Sequence, residues 1–64
     1  MSAETKQNAE DASSNLKRAE QYVKIAEKYA SGTGDKSLST KITKIKETVQ
    51  QTHQEIDHKL SEGR

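Results

Sequence analysis

Small and apolar residues recur along the first half of the chain at Ala9, Ala12, Leu16, Ala19, Val23, Ala26 and Ala30, with Thr5 continuing the series toward the start. The second half repeats the pattern at Leu38, Ile42, Ile45, Val49, Thr52 and Ile56, then Lys59 with Leu60 beside it. Alternating steps of three and four keep such residues on one stripe of an α-helix, which is the heptad seam of a coiled coil. In the first stretch, residues 9, 16, 23 and 30 take position a, and 12, 19 and 26 take d. In the second, 42, 49 and 56 take a, and 38, 45, 52 and 59 take d.

One turn signal separates the stretches: Ser31-Gly32-Thr33-Gly34-Asp35. Gly32 is the expected left-handed residue that ends the first helix. Asp35 or Ser37 is the expected cap of the second, since a side-chain oxygen there accepts an orphan backbone N–H. The chain therefore reads as one domain over residues 1–64, with a helix over about 3–31, a turn over about 31–35 and a helix over about 36–62. The fold class is all-α, an antiparallel two-helix coiled-coil hairpin.

Folding at the glycines brings each a residue to a d residue of the other helix. Ala26 meets Ile42, Val23 meets Ile45, Ala19 meets Val49 and Leu16 meets Thr52, and the numbers in every pair add to 68. Small residues on one side face large ones on the other, which lets helices approach without voids. Glu20 and Glu27 at e positions are expected to face Lys46, also at e, on the edge where the helices meet. Ser13-Ser14-Asn15 is a weak helix segment, expected to kink the first helix or delay its start. The second helix carries many β-branched residues and is expected to lean on a partner.

Composition narrows the function. Apolar residues are 28% and there is no Phe, Trp or Cys, so a disulfide scaffold, a thiolate metal site and a Cys nucleophile are excluded. A core this small is marginal. The hairpin is expected to associate into a four-helix bundle or to dock onto a helical partner, with a homo-oligomer favoured. Met1 to Lys6 holds no apolar stretch, so no secretory signal is expected. No run approaches membrane-spanning length, and a cytoplasmic protein without membrane association is expected.

Tyr22, Ile25 and Tyr29 form a stripe beside the seam, at g, c and g. With Lys41, Lys44 and Thr48 on the neighbouring edge they form the expected partner-binding patch, because exposed aromatics supply contact area and the lysines select a polar or acidic rim. Charge is uneven: Tyr22 to Glu47 carries six Lys against Glu27, Asp35 and Glu47, while net charge is only +1. An alternative reading is an RNA- or DNA-binding hairpin using Lys24, Lys28, Lys36, Lys41, Lys44 and Lys46. The lack of Arg at the bend weighs against it. A further alternative is a desiccation-type protein, helical only when bound or dried. The matched register weighs against that reading, since a disordered chain has no need of it.

Gly32-Thr33-Gly34-Asp35-Lys36-Ser37 lacks the strand context and spacing of a phosphate-binding loop. His53 and Asp57 share a helix face while His58 points elsewhere, too few donors for a metal. No catalytic constellation, metal or cofactor is expected, and the chain reads as a non-enzymatic interaction or scaffolding module. In size and architecture it resembles plasmid copy-number regulators, which dimerise into four-helix bundles and bind RNA, and helical-hairpin co-chaperones of secretion systems. No residue motif accompanies either likeness, and architecture alone assigns no function.

Overall fold

The computed structural model describes residues 2–62. Helix α1 spans Ala3–Gly32 and helix α2 spans Lys36–Glu62, folded against each other as an antiparallel hairpin of 47 × 14 × 11 Å. Thirty residues at about 1.5 Å each span about 45 Å, so α1 alone accounts for the long dimension.

Both helices begin on side-chain caps. Ser2 stands in extended conformation, and its Oγ accepts the Thr5 N–H at 3.1 Å. At α2, Asp35 Oδ1 accepts the Leu38 N–H at 3.0 Å. Between them, Thr33 closes α1: its N–H and its hydroxyl both donate to the Ala30 carbonyl, at 3.1 and 2.6 Å. The left-handed residue is Gly34, at φ 74°, whereas Gly32 continues the helix. The turn falls within the expected 31–35, but its left-handed residue comes two positions later than expected, because Thr33 holds the Ala30 carbonyl with two donors and extends α1 by a residue.

Ser13-Ser14-Asn15 neither breaks nor delays α1. The Ser13 hydroxyl donates to Asp57 of α2 rather than to its own backbone, which removes the competition that makes serine a weak helix residue.

The packing line differs from the heptad expectation. In α1 the expected seam holds at the a positions, with Ala9, Leu16 and Val23 half-buried and Ala30 buried, and at the d positions Ala12 and Ala19, but Ala26 at d is exposed while Ser13, Glu20 and Glu27 at e are half-buried. In α2 the shift is larger. Positions a remain covered at Ile42, Val49 and Ile56, yet the further covered positions are e (Ser39, Lys46, His53, Leu60) and, at b, Thr43 and Gln50, and the d residues Leu38, Ile45, Thr52 and Lys59 are exposed. A single neighbouring helix covers one contact line, narrower than the stripe. The choice of edge follows polar bonding: Glu20, Glu27 and Ser13 reach across on the e side, and α2 is rolled toward that edge.

Candidate interaction surface

The e-side edge is a ladder of polar bonds between helices. Lys46 Nζ and Thr43 Oγ1 both donate to Glu27, each at 2.9 Å. One turn on, Gln50 Nε2 donates to Glu20 Oε1 at 3.3 Å, with Lys24 Nζ at 3.5 Å and His53 Nδ1 3.9 Å from the other oxygen. Nearest the open end, Asp57 accepts from Ser13 at 2.6 Å and lies 3.2 Å from His53 Nε2. Lys46 thus binds Glu27, while Glu20 takes other partners. In three of the four direct inter-helix hydrogen-bond pairs, Ser13–Asp57, Glu20–Gln50 and Glu27–Thr43, the residue numbers add to 70, so one register runs the length of the hairpin; the fourth, Glu27–Lys46, reaches one turn further along α2.

These bonds perturb the two glutamates. The Gln50 amide, assisted by Lys24 and His53, holds the Glu20 carboxyl below the ordinary glutamate range against the opposing effect of partial burial. The Lys46 ammonium and the Thr43 hydroxyl do the same at Glu27. Both carboxylates are favoured in their charged form by the donors aimed at them.

Opposite this ladder lies an apolar face. Tyr22 and Tyr29 are 73% and 71% exposed, Ile25 52%, Ile45 53% and Leu38 41%. Since the e edges of the two helices meet, the d and g rows flank the same opposite side: Tyr22, Ala26 and Tyr29 from α1, then Leu38, Ile45, Lys41 and Thr48 from α2. Ile25 and Lys44, both at c, lie further round each helix. Lys41, Lys44 and Thr48 are exposed, and the Thr48 hydroxyl donates to its own helix at the Lys44 carbonyl. Leu38 and Ile45 belong to this face although the heptad places them in the seam. The signal was the width of the apolar stripe on α2, which exceeds what one helix covers.

The six bend lysines do not form one cluster. Lys24 and Lys46 are engaged on the polar edge by Glu20 and Glu27. Among the described residues no carboxylate lies within 4.0 Å of Lys28, Lys36, Lys41 or Lys44.

Other constellations resolve into helix chemistry. A shallow cleft of about 410 Å³ at the bend is lined by Ser31, Gly34, Asp35, Lys36, Ser39 and Thr40. The Asp35 carboxylate already accepts the Leu38 N–H there, so a phosphate would meet a negative charge. Ser13, Asp57 and His53 stand in that order, with the carboxylate between hydroxyl and imidazole. A serine nucleophile requires the imidazole beside its hydroxyl. His58 pairs with Glu62 at 2.9 Å, away from His53, and the described residues hold no group of three donors placed for a metal. Among them, no helix is long and apolar enough to cross a membrane.

Comparison of the chain with protein-family profiles, curated proteins and solved structures finds no match.

Proposed function

We propose that this hairpin is a non-enzymatic protein-interaction module, a coiled-coil-like pair of helices whose d/g face is covered by self-association or by a partner protein in the cytoplasm. The observation that carries the reading is the distribution of apolar surface. Ala30 is the one buried hydrophobic residue among those described, while five larger apolar side chains stand exposed, all outside the polar ladder. Exposed apolar rows bordered by polar residues mark association surfaces. A chain with so little buried area gains stability when that surface is covered.

The test uses Tyr22→Ser with Tyr29→Ser. Neither ring is buried, so helicity is retained. Association, read as sedimentation mass and as retention of protein partners on immobilised chain, is expected to be lost. The rival nucleic-acid reading is supported by Lys28, Lys36, Lys41 and Lys44, which form no ion pair among the described residues. It expects replacement of these lysines to abolish a salt-sensitive RNA or DNA affinity. That result, with protein association untouched by the Tyr changes, sinks the interaction reading.

A further inference from the structure

We infer that the occupant of the d/g face is an acidic amphipathic helix of another protein, laid along the hairpin as a third helix with its carboxylates toward Lys41 and Lys44. This rests on the interaction reading and specifies its partner.

The shape of the face suits a helix. Tyr22 and Tyr29 are seven residues apart on α1, and Leu38 and Ile45 are seven apart on α2. The register set by Glu27 with Thr43 and Lys46 orders them along the axis. From the bend they run Leu38, Tyr29, Ile45, Tyr22, alternating between the helices. Two heptad-spaced rows on adjacent antiparallel helices leave a groove between them, into which the three-four ridge of a further helix fits. Seven residues rise about 10 Å, so two to three turns of occupant cover the rows.

The charge around the face has one sign. On the c and g rows from Arg18 to Thr48 the ionisable groups other than the Tyr phenols are Arg18, Lys41 and Lys44. The four carboxylates of that stretch lie elsewhere. Glu20 and Glu27 are bound in the polar ladder, Asp35 caps α2, and Glu47 is exposed at f, off both rows. An occupant with acidic flanks gains attraction along the rim, and one with basic flanks is repelled.

A second copy of this chain fits less well. Joining two such faces row to row sets Lys41 and Lys44 of one copy against those of the other. Sliding the copies until the lysines meet the acidic open end, at Asp11 and Glu55, lays the apolar rows on Asn8, Asn15 and Glu55 instead. Self-pairing thus gives up either charge complementarity or apolar burial, and an acidic helix keeps both.

The experiment titrates two synthetic amphipathic helical peptides onto the full chain. They share one leucine stripe and differ only in flanks of glutamate or lysine. The glutamate peptide is expected to bind at least about tenfold more tightly, and its affinity is expected to fall as salt shortens the Debye length from about 10 Å to about 3 Å. Lys41→Glu with Lys44→Glu should reverse the preference, because both lysines are exposed and carry no structural partner. Tyr22→Ser with Tyr29→Ser should weaken both peptides. If that variant loses helicity, Ile45→Gln replaces it.

Equal binding of the two peptides, or a preference that the charge reversal leaves unchanged, overturns the inference. A dimer of the chain that strengthens with salt and is lost in the Tyr variant also overturns it, while the interaction reading stands. Binding to single-stranded RNA or to phosphatidylserine vesicles that depends on the lysines but not on the tyrosines, with neither peptide bound, overturns both.

Discussion

Ser13 of α1 donates its hydroxyl to the Asp57 carboxylate of α2 across 2.6 Å, joining residues 44 positions apart. Ser13 is half-buried and Asp57 exposed, and a hydrogen bond open to solvent contributes modestly. A double-mutant cycle of Ser13→Ala and Asp57→Asn is expected to give a coupling of about 0.5–1 kcal/mol in urea unfolding. The cycle is needed because Ser13→Ala alone also raises helix propensity and masks the loss. A coupling of zero within error would show that the bond contributes nothing to the register.

The bend offers two glycines with opposite expectations. Gly32 is helical, and a methyl group there meets nothing within 4 Å, so Gly32→Ala is expected to stabilise the hairpin by about 0.5–1 kcal/mol. Gly34 also has open space, but at φ 74° an alanine is strained, and Gly34→Ala is expected to destabilise by about 1 kcal/mol. Gly34→Asn should fall between them. Thermal melts of the three variants check the order. A destabilising Gly32→Ala would move the left-handed turn back to residue 32.

Stability should fall in acid through the polar ladder. Glu20 and Glu27 are held below the ordinary glutamate value, so their contribution is fully present above the unfolded value of about pH 4.3 and is lost as pH drops through the lower folded values. Glu20 faces Gln50, Lys24 and His53, and Glu27 faces Lys46 and Thr43. Circular-dichroism melts should show a falling midpoint across that window. Glu20→Gln with Glu27→Gln should begin less stable and show a shallower acid decline. An acid limb as steep as the parent's would place the titrating groups elsewhere.

Two alanines of the first helix separate folding from association. Ala19 is half-buried against α2, whereas Ala26 is exposed on the open face, although both occupy position d. Ala19→Glu forces a charge into the contact line and is expected to cost about 1–3 kcal/mol, enough to abolish helicity in so small a core. Ala26→Glu should leave helicity in place and weaken occupant binding on the apolar rows. Loss of helicity in both variants would restore Ala26 to the seam.

These expectations show where the sequence was informative. Two helices and a bend at the glycine cluster followed from steps of three and four, since helix periodicity is written directly in apolar spacing. Which edge of the stripe becomes covered was not legible in that spacing. The covered e row holds Glu20, Glu27, Lys46 and His53, and polar residues leave no apolar signature even where their bonds steer the packing. Apolar spacing therefore places Leu38 and Ile45 inward, although a single neighbour leaves them outward. The Tyr22, Ile25 and Tyr29 stripe was legible because it stands off the seam altogether. Gly34 rather than Gly32 became the left-handed residue through Thr33, whose two bonds to one carbonyl depend on the turn being formed.

Ala30 lies just before the bend, so the most enclosed contact of the hairpin is also among the shortest in chain separation. Closing a short loop costs less entropy than closing a long one, and the penalty grows as pairing moves toward the termini. Zipping therefore starts at the bend and runs outward, with the Glu27, Glu20 and Asp57 rungs engaging in that order. Backbone amides should exchange with deuterium slowest around Ala30 and Ile42 and progressively faster toward Ala9 and Leu60.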